Sequence, residues 1–211
     1  MRSFAARSTA VSGLLLAAVV WTSSAFAADA AAPAKPDLAA GEKVAQTCGA
    51  CHTHDGNRGA SANPILAGQI PEYIVKQLEA FKAGTRQNAI MQGMAAPLSE
   101  ADMRNVAAFY ASKTAKPGAA KDKSMVVEGE RIWRGGIPDR QIAACSGCHS
   151  PNGAGIPAQY PRLSGQHAEY TEAQLLAFRE GKRSNLQMNG VAKKMNDREI
   201  KAVSDYVAGL R

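Results

Sequence analysis

Cys48-Gly49-Ala50-Cys51-His52 and Cys145-Ser146-Gly147-Cys148-His149 decide how this chain of 211 residues is read. Both have the form C-x-x-C-H, the attachment signature of c-type haem. The spacing follows from the chemistry. Two thiols add to the two vinyl groups of one haem, and on a helical turn residues i and i+3 share a face with i+4 beside them. The cysteines then grip the porphyrin edge while the histidine aims its ring at the iron. All four cysteines of the chain are used. The motif pair implies two covalently bound haem c groups.

Two C-x-x-C pairs could instead hold one tetrahedral zinc ion. That reading leaves the histidine after each second cysteine unexplained. Zinc-ribbon pairs also sit roughly 15–20 residues apart, far closer than Cys51 and Cys145.

The N-terminus has the pattern of a secretory signal peptide, residues 1–27. Arg2 and Arg7 form a positive region, Val11 to Trp21 an apolar core, and Ala25-Phe26-Ala27 a small-x-small cleavage site. The apolar core is short for a membrane span. The expectation is a soluble, exported chain cut near Ala27, and covalent haem attachment is compatible with an oxidising compartment outside the cytosol. Without residues 1–27 the chain has 23 basic and 18 acidic residues, net +5. Residues 28–115 carry 8 basic and 8 acidic residues, and residues 125–211 carry 12 and 9. This mild basicity lacks the dense Lys/Arg runs of a nucleic-acid binder. It points toward docking on acidic surfaces.

Self-comparison reveals a tandem duplication. An offset of 97 relates Cys48 to Cys145, His52 to His149, Pro64 to Pro161, Gln69 to Gln166, Tyr73 to Tyr170, Phe81 to Phe178, Met91 to Met188 and Val106 to Val203, with no gap. Upstream the copies differ. Gly41 precedes its first cysteine by 7 residues and Gly129 precedes its own by 16, so the second copy carries a loop insertion that includes Arg134 to Asp139. The expected domains are 28–114 and 125–211, joined by a linker over 115–124 that lacks apolar periodicity. Each copy, about 85 residues and poor in aromatics, has too little apolar content for a strong core alone. Each half is expected to fold around its cofactor.

The pattern is all-α, without strong strand alternation. Leu38 to Cys48 reads as a helix delivering the first motif. Pro71 suits a helix first turn, with Ile74, Leu78 and Phe81 at core spacing and a stop near Gly84. A methionine-bearing loop follows. Ser99 and Asp102 form a capping box opening a last helix. The second copy repeats this over Glu130–Trp133, His167–Phe178 and Asn196–Val207.

His52 and His149 each supply one iron ligand. For the other, Met91 and Met188 stand at matching positions, each 39 residues after its histidine and each in a Met-x-Gly context. Met94 is the competing candidate in the first copy, but it matches Val191. Met103 matches Ile200 and Met195 matches Leu98, as packing residues do. His54 and His167 match Pro151 and Ile70, so neither could serve both copies. Thioether sulfur favours ferrous iron and raises the potential. With both axial positions filled by the protein, no place remains for oxygen or peroxide.

The chain resembles the dihaem cytochrome c4 family. The resemblance rests on both C-x-x-C-H motifs, Asp55-Gly56-Asn57, Leu66-Ala67-Gly68-Gln69, Pro151-Asn152-Gly153, Leu163-Ser164-Gly165-Gln166-His167, Phe178-Arg179-Glu180-Gly181-Lys182-Arg183 and the Met91 and Met188 segments. It covers nearly all of the chain after the signal. It implies two tandem cytochrome c-like domains related by pseudo-twofold symmetry, each wrapped around a covalent haem. His52 with Met91 and His149 with Met188 would be the iron ligands, and the carbonyls of Pro64 and Pro161 would hold the histidine rings. One departure is the short segment Thr85 to Ile90, which alters the surface beside the first haem.

The resemblance further implies a periplasmic electron carrier, often membrane-associated, with an electron donor such as a cytochrome bc1 complex and an acceptor such as a terminal oxidase. It implies no small-molecule substrate, no nucleic-acid partner and no enzyme activity. The alternative is a dihaem subunit of a periplasmic dehydrogenase, such as a flavocytochrome sulfide dehydrogenase. A catalytic dihaem enzyme, a peroxidase or thiosulfate dehydrogenase, would need an open or unusual ligand set that the matched methionines disfavour.

Overall fold

The structure, a computed structural model, describes residues 34–211. The expected signal peptide lies outside the described residues. Helices in chain order are α1 (Leu38–His52), α2 (Pro71–Lys82), α3 (Ala89–Ala95), α4 (Glu100–Ala111), α5 (Lys123–Gly135), α6 (Cys145–His149), α7 (Ala168–Arg179), α8 (Leu186–Ala192) and α9 (Asp197–Gly209). Pairing among the described residues is limited to two isolated bridges, Ile137 with Ile142 and Ile156 with Tyr160. No described helix is long and apolar enough to cross a membrane.

Local chemistry sets the helix ends. Asp37 accepts hydrogen bonds from the Ala39 and Ala40 amides to open α1. Ser99 and Asp102 form the expected capping box on α4, and Asn196 with Glu199 forms its counterpart on α9. Pro71 starts α2, which ends at Lys82 just before Gly84, a left-handed position at φ 72°.

In the first half, α1 crosses α4 and α2 packs on α4. In the second, α5 crosses α9 and α7 packs on α9. Each crossing closes on a glycine. A Cβ at Gly41 would lie 2.2 Å from the Asn105 carbonyl oxygen, and one at Gly129 would lie 2.3 Å from that of Ala202. The two cores remain separate. Ala45, Ile74, Val106, Phe109 and Tyr110 fill the first; Ile132, Trp133, Met195, Ile200, Val203 and Val207 fill the second. Met103 and Met195 are buried packing residues.

The structure differs from the sequence reading in three places. The methionine-bearing segments are short helices, α3 and α8, because Asn88 and Asn185 cap them by accepting from the amides of Met91 and Met188. Helix α5 begins at Lys123, inside the stretch expected as linker, because Asp122 caps it. The rest of that stretch is tied down. The Lys116 amide donates to Asn57 Oδ1 at 2.7 Å, and the Lys121 and Asp122 amides donate to the Asp205 carboxylate at 2.9 and 3.0 Å.

Lys35 to Arg211 form one compact unit. The halves meet through crossed polar contacts. Arg86 lies over its own Phe81 ring and reaches Tyr170 Oη and Gln174 Oε1; Arg183 lies over Phe178 and reaches Tyr73 Oη and Gln77 Oε1. Arg58 donates to the Gly165 carbonyl.

Candidate functional site: two buried histidines

His52 ends α1 and His149 ends α6. After each the backbone turns sharply, through Thr53 at φ 60° and Ser150 at φ 69°. Both rings are buried, and each is oriented by one hydrogen bond. His52 Nδ1 lies 3.0 Å from the Pro64 oxygen, and His149 Nδ1 lies 2.9 Å from the Pro161 oxygen. A carbonyl only accepts, so Nδ1 carries the proton and Nε2 keeps the lone pair that a metal requires. Burial pushes both histidines below the usual imidazole range, the proline bonds opposing it in part. Neutral imidazole is the form that ligates iron.

In the second half one cavity of about 660 Å³ is lined by Cys145, Cys148, His149, Pro161 and Met188 together. That volume suits a ligand well above solvent size. Trp133, Leu163 and Phe178 add apolar walls. A flat apolar macrocycle bonded to both sulfurs fits this lining. A zinc site does not. Burial raises the Cys145 thiol to about 11 and lifts Cys48 as well, which disfavours thiolates. Among the described residues no three His, Cys, Asp or Glu side chains cluster as a metal site.

In the first half, Cys48, Cys51 and His52 share the last turns of α1, with Pro64 on the ring. Met91 and Met188 occupy the same place in α3 and α8, each three residues past its asparagine cap. Met94 lies one turn further along α3. The other histidines differ in kind. His54 bonds Glu42 at 3.3 Å and packs on Phe109. His167 is the residue before α7, buried, with Nε2 lacking a hydrogen-bond partner.

Sequence reasoning missed that the cavity of the second half opens onto the first. Tyr73, Gln77 and Arg86 line it. The repeat pairs Tyr73 with Tyr170 and so marks the position, but nothing in the pattern says that it faces the other copy.

A family model, Cytochrome c, matches residues 38–113 and again 140–211. The chain is 45% identical over 193 residues to cytochrome c4 of Azotobacter vinelandii, covering 85% of this chain and 91% of that one. It is 40% identical over 173 residues to a thiosulfate dehydrogenase electron acceptor of Stutzerimonas stutzeri, covering 79% and 80%. Among solved structures, reduced recombinant cytochrome c4 from Pseudomonas stutzeri superposes with a TM-score of 0.81 at 42% identity, covering 84% of this chain and all of that one.

Proposed function

The chain belongs to the cytochrome c family as a dihaem cytochrome c4, and from that premise we propose that it serves a periplasmic respiratory chain, passing electrons toward a terminal oxidase. Membership makes it an electron carrier with two covalently attached haem c groups, which meets redox partner proteins and is not an enzyme. His52 with Met91, and His149 with Met188, hold the two irons. Cys48, Cys51, Cys145 and Cys148 form the thioethers. Pro64 and Pro161 fix the rings. Residues 28–114 and 125–211 are the two redox domains, joined by 115–124. Residues 1–27 are the export signal, cut near Ala27, and a cytochrome bc1 complex is the donor. Peripheral membrane association would shorten the search for both partners.

Each bound haem supplies a one-electron iron couple. The protein's part is to hold and tune it. The proline carbonyls keep Nε2 on the iron side. Methionine sulfur favours the ferrous state. The apolar walls of Trp133, Leu163 and Phe178 would lower the dielectric around the second haem. The single observation that supports the second haem's ligand set is the cavity that joins both thiols, a proline-bonded histidine and Met188, and the repeat offset extends it to His52 and Met91.

The test is the optical spectrum of the purified protein, oxidised and reduced, with haem quantified per chain. Two haems with the weak sulfur-to-iron band at full strength support both methionines. Half strength, or a high-spin component, overturns one of them.

A second reading is favoured by the similarity to a thiosulfate dehydrogenase electron acceptor: the donor is then a dehydrogenase of reduced sulfur compounds, with this chain as its dihaem acceptor or subunit. Rapid reduction by such an enzyme, or tight co-purification with it, supports this reading over the bc1 donor.

A further inference from the structure

Two glutamines reach across the boundary between the halves and end beside the other half's histidine support. Gln166 Oε1 accepts from the Ile65 amide at 2.9 Å, and its Nε2 donates to the Ile65 carbonyl at 3.0 Å. Gln69 does the same at Arg162, accepting from its amide and donating to its carbonyl, both at 2.9 Å. Both glutamines are buried, at 7% and 6% exposure, so water cannot replace these bonds. Ile65 directly follows Pro64, and Arg162 directly follows Pro161.

That adjacency has a physical consequence. The Pro64 carbonyl and the Ile65 amide are the two ends of one planar peptide unit. The carbonyl accepts from His52 Nδ1 while the amide donates to Gln166. The plane cannot rotate without breaking both bonds. Hydrogen bonds in series also polarise one another. Donation to Gln166 makes the Pro64 oxygen a stronger acceptor, and the imidazole a more electron-rich ligand. The same relay runs from His149 through the Pro161–Arg162 peptide to Gln69.

We propose that Gln69 and Gln166 are positioning residues acting in trans, each setting the orientation and basicity of the iron-ligating histidine in the opposite half. This rests on His52 and His149 being the iron ligands. The potential of each haem then depends on the glutamine that the other half supplies, and not on the boundary contacts at large. Separating the halves loosens both relays.

The experiment compares Gln166→Leu, Gln69→Leu and Arg58→Ala in the full holoprotein. Leucine keeps the volume and removes both bonds across the boundary, along with the one that each glutamine oxygen accepts from the next residue's amide. Arg58→Ala loosens the same boundary at Gly165 without touching either proline peptide. The readouts are the two potentials and the solvent exchange of the His52 and His149 Nδ1 protons by NMR of the reduced, diamagnetic protein. In Gln166→Leu, His52 Nδ1–H is expected to exchange about tenfold faster, the size of one weakened hydrogen bond, and the first-half potential to rise, with His149 unchanged. Gln69→Leu gives the mirror result. Arg58→Ala leaves both as in the parent. Effects confined to the variant's own half, equal effects in both halves, or the same shifts in Arg58→Ala overturn the proposal. Loss of low-spin histidine ligation in the unmutated protein instead sinks the ligand reading, which its spectrum reports independently.

Discussion

The two halves solve one packing problem with opposite choices. Four residues after the crossing glycine, the first half has Ala45 and the second has Trp133. On the facing helix the first half has Tyr110 and the second has Val207. All four are buried. A small residue on the first helix goes with a large one on the last, and the reverse holds in the other copy. The bulky group changes sides of the crossing, and Trp133 with Val207 fills more space than Ala45 with Tyr110. The swap also redirects polar tips. Trp133 Nε1 donates to the Pro151 carbonyl, tying the core to the loop after the second motif. Tyr110 extends toward Cys48, and its own burial, followed by the neighbouring Cys48, raises its phenol above the usual range.

The second contrast is the insertion. In the first half α1 runs unbroken into the motif. In the second, α5 stops at Gly136, a left-handed glycine whose Cβ would lie 2.1 Å from the Ile142 oxygen. A hook follows. Ile137 and Ile142 bond each other through both backbone groups and bury their side chains in the core. Arg140 pairs with Glu199, the residue that completes the α9 capping box. The inserted residues therefore rivet the start of α9 to the haem-motif side of the domain.

The most damaging substitution tests the exchange of bulk across the crossing. Trp133→Ala should cost about 3–5 kcal/mol in the second half, read as an early unfolding step in holoprotein denaturation. Adding Val207→Tyr should recover part of that loss, and no recovery would mean the two sites are not interchangeable. Next come the crossings. Gly41→Ala and Gly129→Ala should each cost about 1–3 kcal/mol, through forced separation of α1 from α4 or α5 from α9. Similar losses in melting temperature would show equivalent crossings. Arg140→Ala should cost about 1–3 kcal/mol by stranding the nearly buried Glu199, and should speed amide exchange at the start of α9 while α4 is unaffected.

The smallest effect is a pH difference between matched loops. Asp55 in the first half corresponds to Asn152 in the second. Hydrogen bonds from the Asn57 amide and Thr53 hydroxyl, with Lys116 nearby, hold the Asp55 carboxyl below the usual carboxylate range. Its folded pKa is depressed, so its stabilisation is complete above the unfolded value of about 3.9 and is lost as pH falls below it. As pH is lowered from ~4, the Asn57 amide should lose protection, measured against the unstructured rate at each pH, while the protection of the Ala154 amide, bonded to Asn152, stays constant. Asp55→Asn should abolish the difference.

Much of the fold was legible because covalent attachment demands fixed spacing. The cysteines and histidines of both motifs, the offset of 97, the Pro71 helix start and the Ser99–Asp102 cap all follow from local chemistry. The methionine segments were read as loops because a seven-residue helix leaves little periodicity to detect. The insertion was unreadable because Ile137 and Ile142 matter only once they meet α5 and α9.

The sequence by itself determined that the chain is a helical duplication with two haem-attachment motifs and matched methionines, since each signal lies within a few turns or repeats at a constant offset. The tertiary structure alone decided what crosses between the copies. Gln69, Gln166, Arg86 and Arg183 look like ordinary surface polar residues in one dimension, and they act on partners 88 to 106 positions away. A hydrogen bond depends on distance and direction in space, and separation along the chain constrains neither once two domains are packed together.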